Sequence, residues 1–247
     1  MIIKNTIKKV SSGNSEDTFL YSLFNPILQF KYFTMTNIAG IRIEYKLQTL
    51  NEKDAAIDAI EQFDKWWQEA INSSIEEVNA MTLATATPAG KPSARIVLLK
   101  DYDKNGFVFF TNYQSHKGKE LEGNPQGCIV FFWKELERQV RIEGIVEKVS
   151  SEESDIYFLS RPPGSQVGAW ASPQSDIIAS RDIIESNAKK YKQQFEKEPM
   201  HRPQYWGGYR LKPQLIEFWQ GRESRLHDRL QYTLGKDGSW KIERLAP

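Results

Sequence analysis

A tight hairpin is encoded in Asp103-Lys-Asn-Gly106-Phe-Val-Phe-Phe-Thr-Asn112. Asn-Gly between two apolar runs is a strong hairpin signal, because the favoured two-residue turn needs positive φ at both positions. Residues 94–100, before the turn, are largely apolar, and the run that follows it is rich in phenylalanine. The stretch therefore predicts a pair of antiparallel strands at this point of the chain.

The same pattern extends along the rest of the chain. Further strands are predicted at residues 81–87, 128–133, 139–149, 209–219, 229–234 and 239–244. Helices are predicted at residues 52–71, 114–122, 151–159 and 181–197. The third helix begins with a capping box, Ser150-Ser-Glu-Glu153. Several hairpins with helices between them predict an α+β fold, mainly antiparallel β, in which one barrel carries peripheral helices. The Trp66-Trp67 pair is predicted to lie in the core and at its rim rather than in a cofactor site.

Composition excludes several classes of function. The net charge is +1 over 247 residues, so no overall field favours nucleic acid or membrane binding. The single cysteine, Cys128, excludes an internal disulfide and fits a reducing compartment, which predicts a cytoplasmic protein. The three histidines are far apart in sequence, so no metal site is predicted. No Gly-rich dinucleotide or Walker loop is present, so any phosphate must be bound by side chains.

Residues 1–34 are predicted to be an extension outside the domain, disordered or non-native, with Met35 as the natural start. Asn25-Pro26 interrupts their apolar run, and they contain no arginine, which disfavours both a secretory signal and a transit peptide. A short appended amphipathic helix is the alternative. Residues 35–247 are predicted to form a single domain.

The stretch from Trp219 to Arg229 carries the strongest functional signal. It contains three arginines, one histidine and one tryptophan within eleven residues. Arginine binds phosphate through two parallel hydrogen bonds and stacks on rings, so the segment suits an anionic, aromatic ligand. A solvated strand edge is the alternative that composition alone leaves open.

Several motifs occur in the order found in one known family. They are Arg95-Ile-Val-Leu-Leu-Lys100, Leu136-Glu-Arg-Gln-Val140, Ser160-Arg-Pro162, Ser165-Gln-Val-Gly-Ala-Trp170, Gln174-Ser175, Trp219-Gln-Gly-x-x-x-Arg-Leu-His-Asp-Arg229 and Trp240-Lys-Ile-Glu-Arg-Leu-Ala-Pro247. From about Asn37 to the C-terminus the chain resembles the pyridoxine/pyridoxamine 5′-phosphate oxidase family. The resemblance implies an FMN-binding split β-barrel of Greek-key type that forms a homodimer.

The resemblance also implies which residues contact FMN. Those implied for one subunit are Arg95, Ile96, Val97, Leu98, Leu99, Lys100, Phe110, Thr111, His116, Lys117 and Gln139. Those implied for the other subunit are Gln174, Ser175, Trp219 and Arg229. The flavin site is therefore expected to lie at the subunit interface.

The implied substrates are pyridoxine and pyridoxamine 5′-phosphate, oxidised at C4′ with O2 as acceptor to give pyridoxal 5′-phosphate and H2O2, and NH3 from the amine. The phosphate of these substrates is expected to bind to Lys100, Tyr157, Arg161 and Ser165. Burial on a helix face is the alternative for Tyr157. The catalytic candidates are Arg225 and His227, which would point to the same side of an extended segment. Arg42 and Tyr45 match an N-terminal lid over the substrate.

Two positions depart from the family pattern. His116 stands where an arginine is usual, so FMN phosphate binding is expected to depend on its protonation. Phe110 stands where a tyrosine is usual, which costs little if the contact is made by the backbone.

Three other functions remain as alternatives. They are another split-barrel flavin oxidase or reductase, a non-enzymatic carrier of pyridoxal phosphate, and a barrel that binds single-stranded nucleic acid. The near-neutral charge disfavours the last of these.

Overall fold

The computed structural model of the protein describes Gly40 and residues 43–247, and Glu44–Pro247 form one compact unit. Arg42 and residues 1–34 therefore lie outside the described residues. Within them, nine strands form one antiparallel sheet. The strands are β1 Ala80–Ala86, β2 Pro92–Leu98, β3 Asp101–Asp103, β4 Gly106–Asn112, β5 Gln126–Trp133, β6 Arg138–Lys148, β7 Trp206–Gln220, β8 Asp228–Leu234 and β9 Trp240–Arg244. The helices are α1 Ala59–Ile71, α2 His116–Gly123, α3 Ser151–Ser160, α4 Pro163–Ala171 and α5 Asp182–Phe195.

The sheet branches at β7. This strand pairs with β6 along most of its length, with β4 over its first half and with β8 over its second half. The order β2-β1-β5-β6-β7-β4-β3 is joined at β7 by β8 and then β9. A register shift between Glu143 and Gly144 lets β6 follow the curved β7. This curled, branched antiparallel sheet with few helices is the expected split barrel.

The turn predicted at Asp103–Gly106 is confirmed, but residues 94–100 do not supply its first strand, because β2 pairs with β1 and the short β3 precedes the turn. β3 and β4 pair with Asp103 opposite Gly106, and Gly106 has φ of +131°. A Cβ at Gly106 would lie 2.1 Å from the carbonyl oxygen of Leu211 on β7. Glycine is therefore required both for the turn and for the close approach of β7.

Helix α1 closes one end of the sheet with aromatic side chains. Phe63 contacts Phe107 edge to face at a centroid distance of 4.8 Å, and Trp66 contacts Phe218 in the same way at 5.2 Å. Trp66 is buried and Trp67 is partly buried, which confirms the predicted core and rim positions. Full burial of one such side chain contributes about 1.5–3 kcal/mol, so this cluster fixes α1 on the sheet.

Two helix predictions need correction. The helix predicted at residues 52–71 begins at Ala59, because the Asp58 carboxylate accepts hydrogen bonds from the backbone N–H groups of Ile60 and Glu61. The segment after Arg161, where no helix is predicted from the sequence, forms α4 with Pro163 as its first residue. Proline is accepted there because the first N–H groups of a helix need no intrahelical partner. Among the described residues, no helix is long and apolar enough to span a lipid bilayer.

Candidate functional site

A cleft of about 480 Å³ lies where β2 and β4 meet α3 and α4. Its lining residues are Ile96, Val97, Leu98, Lys100, Phe110, Thr111, Lys117, Tyr157, Arg161, Pro162, Ser165, Gln174 and Trp206. The family resemblance implies a ligand contact for all of these residues except Pro162 and Trp206. Three of these described lining residues are lysine or arginine, and none is acidic. The cleft is therefore built for an anionic ligand.

Lys117 is a buried cation with neutral partners. It lies in the first turn of α2, which Ser115 caps by accepting a hydrogen bond from the Gly118 N–H. The Lys117 ammonium donates to Thr111 Oγ1 at 3.1 Å and to Gln174 Oε1 at 3.2 Å, and its side chain is only 8% exposed. Burial, and secondarily the charge of Arg95, lower the pKa of Lys117. A buried charge is costly without an opposite charge, so this position favours a bound anion.

Arg161 is a second cation without an ionic partner among the described residues. It follows the last residue of α3, and its guanidinium lies 4.6 Å from the ring centroid of Trp206. Its Nη1 atom is buried and has no hydrogen-bond partner within residues 43–247. Burial lowers the pKa of Arg161, although an arginine stays charged at neutral pH. A buried, unpaired donor costs about 1–3 kcal/mol, which a phosphate or carboxylate could offset.

Aromatic rings form one wall of the cleft. Phe110 stacks on Tyr157 at a centroid distance of 3.9 Å and on Trp206 at 5.6 Å. Tyr157 is half-buried and lines the cleft, which answers the alternative of simple burial on α3. Trp206 was missed because only the pairing of β4 with β7 brings it beside Phe110. A flat wall with cations nearby suits a ring that carries a phosphate.

Arg95 and His116 converge on a buried carboxylate. Glu120 Oε2 accepts hydrogen bonds from Thr85 Oγ1, Ser93 Oγ and Arg95 Nη2, and its Oε1 lies 3.2 Å from His116 Nε2. Burial acts to raise the pKa of Glu120, but the two hydroxyl donors, His116 and Arg95 together hold it below its usual range. Part of the Arg95 charge is thus already neutralised, which leaves Lys117 as the less compensated cation.

Leu99 and Ser175 lie apart from these contacts. The Leu99 side chain is buried in the core, and its backbone N–H donates to Asn79 O at 2.9 Å. Ser175 is exposed and has a left-handed φ of +76° directly after Gln174.

A second group of predicted residues lies at the far end of β7. Gln139 and Arg229 are the cross-strand neighbours of Trp219 on β6 and β8. The His227 ring lies 4.5 Å from the Trp219 ring, and the Tyr45 ring lies 5.9 Å from it in an edge-to-face arrangement. This end of β7 therefore presents a tryptophan face with polar and charged groups around it.

Arg229 is held in place by a buried carboxylate. Its Nε donates to Glu217 Oε1 at 2.8 Å, and its Nη1 donates to the carbonyl oxygen of Ala246 at 2.8 Å. The same Glu217 also accepts a hydrogen bond from Arg141. The hydrogen bond with Glu217 raises the pKa of Arg229 despite partial burial. The orientation of the guanidinium is thus fixed before any ligand binds.

His227 is held as a neutral hydrogen-bond donor. Its Nδ1 accepts a hydrogen bond from the backbone N–H of Arg222 at 3.0 Å. Burial, and secondarily the charge of Arg225, lower the pKa of His227, which favours the neutral ring. Because Nδ1 is an acceptor, the ring proton of neutral His227 is on Nε2.

The extended conformation predicted for Arg225 to His227 is wrong. Ser224 and Arg225 both have left-handed φ values, +54° and +62°, in a short 3-10 turn. Each such non-glycine residue costs about 1–2 kcal/mol. The contact between Arg222 and His227 and the ion pair of Arg222 with Asp228 close this turn from both sides. Arg225 is exposed at its tip.

The residues expected to contact FMN form two groups in this chain, and these groups do not coincide with the expected assignment of contacts to two subunits. Gln174, expected to act with Trp219, contacts Thr111 and Lys117 of the same chain. Gln139, expected to act with Lys117, lies beside Trp219. Trp206 and Trp219 lie at opposite ends of β7, and thirteen residues of strand span on the order of 40 Å.

Comparison with known sequences places the chain in a family. Residues 67–195 match the family described as pyridoxamine 5′-phosphate oxidase, and residues 206–247 match the pyridoxine 5′-phosphate oxidase C-terminal dimerisation region. A pyridoxine/pyridoxamine 5′-phosphate oxidase of Trichormus variabilis is 56% identical over 210 residues, covering 85% of this chain and 98% of that relative. One of Ralstonia pickettii is 56% identical over 213 residues, covering 86% and 100%.

Comparison with solved structures agrees with the fold. PhzG of Burkholderia lata, solved with tetrahydrophenazine-1-carboxylic acid, has a TM-score of 0.77 at 28% identity and covers 83% of this chain and 100% of its own. A pyridoxamine 5′-phosphate oxidase-related, FMN-binding protein of Nostoc punctiforme has a TM-score of 0.63 at 17% identity, covering 78% and 100%.

Fold and sequence together define the class of this protein as an oxidoreductase built on a split barrel. The matches to two relatives at 56% identity cover nearly the full length of those relatives. The chain belongs to the pyridoxine/pyridoxamine 5′-phosphate oxidase family.

Proposed function

We propose that the protein oxidises pyridoxine and pyridoxamine 5′-phosphate to pyridoxal 5′-phosphate, with FMN as cofactor and O2 as acceptor. The alcohol gives H2O2 as second product, and the amine consumes water and gives H2O2 and NH3. One observation supports the proposal independently of family membership. One aromatic-walled cleft holds the buried cation Lys117 and the half-buried Arg161 with its buried Nη1 atom, and neither has a carboxylate partner among the described residues.

Lys117 and its neighbours fit the phosphate of FMN. The ammonium is bound to the Thr111 hydroxyl and the Gln174 amide oxygen, which orient it but leave its charge uncompensated. Arg95 lies close enough to lower the pKa of Lys117, so a dianion here would relieve a repulsion between two cations. FMN, when bound, supplies the redox chemistry by taking a hydride from the substrate carbon and passing electrons to O2.

Arg161 and its neighbours fit the phosphate of the substrate. The unpaired Nη1 supplies a donor, Lys100 a second cation, and Tyr157 and Ser165 two hydroxyl groups, all lining the same cleft. Arginine binds phosphate strongly through its planar fork, and stacking on Trp206 fixes the plane of that fork. These residues would bind and orient the substrate rather than react with it.

We place the flavin between two subunits of a homodimer. One chain holds the cationic cleft and the Trp219 group at opposite ends of β7, too far apart to contact one small ligand. The match of residues 206–247 to a dimerisation region supports a partner subunit that supplies the second group. In this arrangement Trp219, Gln139 and Arg229 of one chain meet the cleft of the other.

His227 and Arg225 would orient the pyridine ring. Neutral His227 donates from Nε2, and its Nδ1 is already occupied by the Arg222 N–H, so it is poorly suited to accept a proton. Arg225 lies exposed beside it and supplies a positive charge that can face the ring. The donor carbon would thus be held in one orientation, and such positioning accounts for much of the rate in comparable reactions.

Oxygen uptake by the purified protein tests the proposal. We expect a yellow dimer that releases FMN on heating and consumes O2 on addition of pyridoxine 5′-phosphate. Unphosphorylated pyridoxine is the matched control, because it lacks the group that Arg161 is proposed to bind. A yellow protein inactive on both phosphorylated vitamers would favour another flavin oxidase or reductase. A colourless protein that binds pyridoxal phosphate would favour a carrier.

The pH dependence of His227→Asn tests the role of the histidine. The pKa of His227 is lowered, so the neutral ring, whose Nδ1 accepts from the Arg222 N–H and holds the turn, exists above that pKa and is lost as pH falls through it. We expect kcat/KM of the wild type to fall at a pH below the usual histidine value of ~6.5. The asparagine variant should lose this acid dependence and lose only about 2- to 10-fold in kcat/KM at pH 8.

Comparing the pH profiles of the wild type and His227→Asn removes the contribution of the substrate phosphate, because its second ionisation near ~6 affects both profiles equally. A loss of more than about a hundredfold at pH 8 would instead indicate that His227 transfers a proton.

A further inference from the structure

Glu137 joins three segments at the edge of the second residue group. It follows the short 3-10 turn Lys134–Leu136 between β5 and β6. Its carbonyl oxygen accepts a hydrogen bond from the Gly221 N–H at 2.7 Å. Its carboxylate oxygen Oε2 accepts two more, from the backbone N–H groups of Lys46 at 2.8 Å and Leu47 at 3.0 Å. Residues 44–50, here called the strap, are thereby tied to the start of the turn that carries Arg225.

Tyr45 is the strap residue that reaches the site. Its ring lies edge to face with Trp219 at 5.9 Å and tilted against His227 at 6.1 Å. It fits there only because residue 221 is glycine, since a Cβ at that position would lie 2.7 Å from the Tyr45 Cβ. The position of Tyr45 therefore depends on how closely the strap is held to Gly221.

The carboxylate of Glu137 is the strap anchor nearest to Tyr45 among the described contacts. The other anchors lie further along: the Gln48 side chain contacts Arg138, and the Leu50 N–H donates to Asp228 at 3.1 Å. Two adjacent N–H groups on one carboxylate oxygen are charge-assisted hydrogen bonds, about twice as strong as neutral ones. Because both donors belong to the backbone, the anchor does not depend on the side chains of Lys46 and Leu47.

The backbone of Glu137 indicates that its side chain is needed. It has a left-handed conformation, φ 54° and ψ 40°, which glycine or asparagine adopts more readily than glutamate. Strain of this kind persists where a side chain serves a function, and here the carboxylate bonds to the strap.

We propose that Glu137 is a positioning residue of the oxidase, which holds Tyr45 over Trp219 and His227 so that Tyr45 can enclose the substrate. The proposal rests on the proposed function in one respect, that the Trp219 group faces the substrate. Glu137 itself touches neither substrate nor flavin. It acts by fixing the distance between the strap and Gly221.

Three variants of Glu137 and one control separate its side chain from its backbone. Glu137→Ala removes the acceptor, Glu137→Gly removes it and also relieves the left-handed strain, and Glu137→Gln keeps a neutral acceptor. Glu135→Ala is the matched control, because Glu135 is exposed on the same turn. Each is compared with the wild-type holoenzyme in KM, kcat, FMN content and hydrogen exchange of a peptide that covers the strap.

We expect the alanine and glycine variants to raise KM for pyridoxine 5′-phosphate about 5- to 20-fold, as lost charged hydrogen bonds would, with kcat and FMN content near wild type. Strap amides should exchange about tenfold faster or more in both variants, since their acceptor is gone. Glu137→Gln should lie between them and the wild type, and Glu135→Ala should match the wild type in every readout.

Unchanged strap exchange in Glu137→Ala would overturn the proposal, whatever the substrate proves to be. Faster exchange with unchanged KM would overturn the positioning role. Recovery of wild-type KM in Glu137→Gly would also overturn it, because only backbone strain would then matter. An enzyme inactive on B6 phosphates would contradict the proposed function, and strap exchange would still decide whether Glu137 anchors the strap.

Discussion

Replacing Lys117 by methionine should weaken FMN binding about 10- to 100-fold without destabilising the protein. Removing a charged hydrogen-bonding group costs about 1.5–3 kcal/mol of binding free energy, and each 1.4 kcal/mol is tenfold in Kd. The apoprotein loses a buried cation whose acceptors among the described residues are a hydroxyl and an amide oxygen. Its melting temperature should therefore stay the same or rise, because methionine fills similar space without a buried charge.

Lys119→Met is the control for this prediction. Lys119 lies two residues further along α2 and is exposed, so its replacement should change neither FMN affinity nor melting temperature. FMN affinity is measured by quenching of flavin fluorescence, and stability by calorimetry of both apoproteins. Wild-type affinity in Lys117→Met would remove Lys117 from the flavin site. A lower melting temperature of the apoprotein would show that the ammonium stabilises the fold.

Replacing Arg161 by methionine should raise KM for pyridoxine 5′-phosphate about 10- to 100-fold and leave FMN content unchanged. The guanidinium stacks on Trp206 but has a buried Nη1 without a hydrogen-bond partner among the described residues, so a bound phosphate would supply a hydrogen bond that the fold does not. Methionine keeps an apolar contact with Trp206, as sulfur and methylene groups pack well on aromatic rings. The apoprotein should melt at the wild-type temperature or above it.

Arg181→Met serves as the control, because Arg181 is exposed and, within the described part of the chain, forms its ion pair with Glu185 one turn further on. The second comparison is between ligands. Unphosphorylated pyridoxine should be used equally poorly by the wild type and Arg161→Met if the arginine meets only the phosphate. An equal rise in KM for both ligands would instead assign Arg161 to the pyridine ring or to the general shape of the cleft.

The local features of the fold could be predicted from the sequence because each rests on neighbouring residues. Asn105-Gly106 fixed a hairpin, and Ser150 caps α3 by accepting a hydrogen bond from the Glu153 N–H as the capping box requires. The first turn of α1 was misplaced because a charged stretch with some helical periodicity preceded Asp58, and only the cap geometry marks the true start. Helix α4 was not predicted because Pro162-Pro163 favours a loop, whereas Pro163 occupies the first position of the helix, where proline is accepted.

The grouping of the site residues could not be predicted, because it depends on long-range register. Lys117 meets Gln174 across 57 positions, and Trp206 reaches Phe110 only through the pairing of β4 with β7. The family motifs identified nearly all the residues that line the cleft but not which of them share one end of β7. Likewise, no periodicity indicates that Ser224 and Arg225 take left-handed conformations, since that turn is closed by Arg222, His227 and Asp228.

The length of β7 has a genetic consequence. If each catalytic centre combines the cleft of one chain with the Trp219 group of the other, then one strand contributes to both centres of the dimer. A chain altered at Lys117 and a chain altered at His227 would each be defective as homodimers. Joined in a mixed dimer, they would form one centre with both alterations and one with neither. Two harmful alleles, one in the cleft and one in the Trp219 group, would therefore complement each other, whereas two in the same group would not.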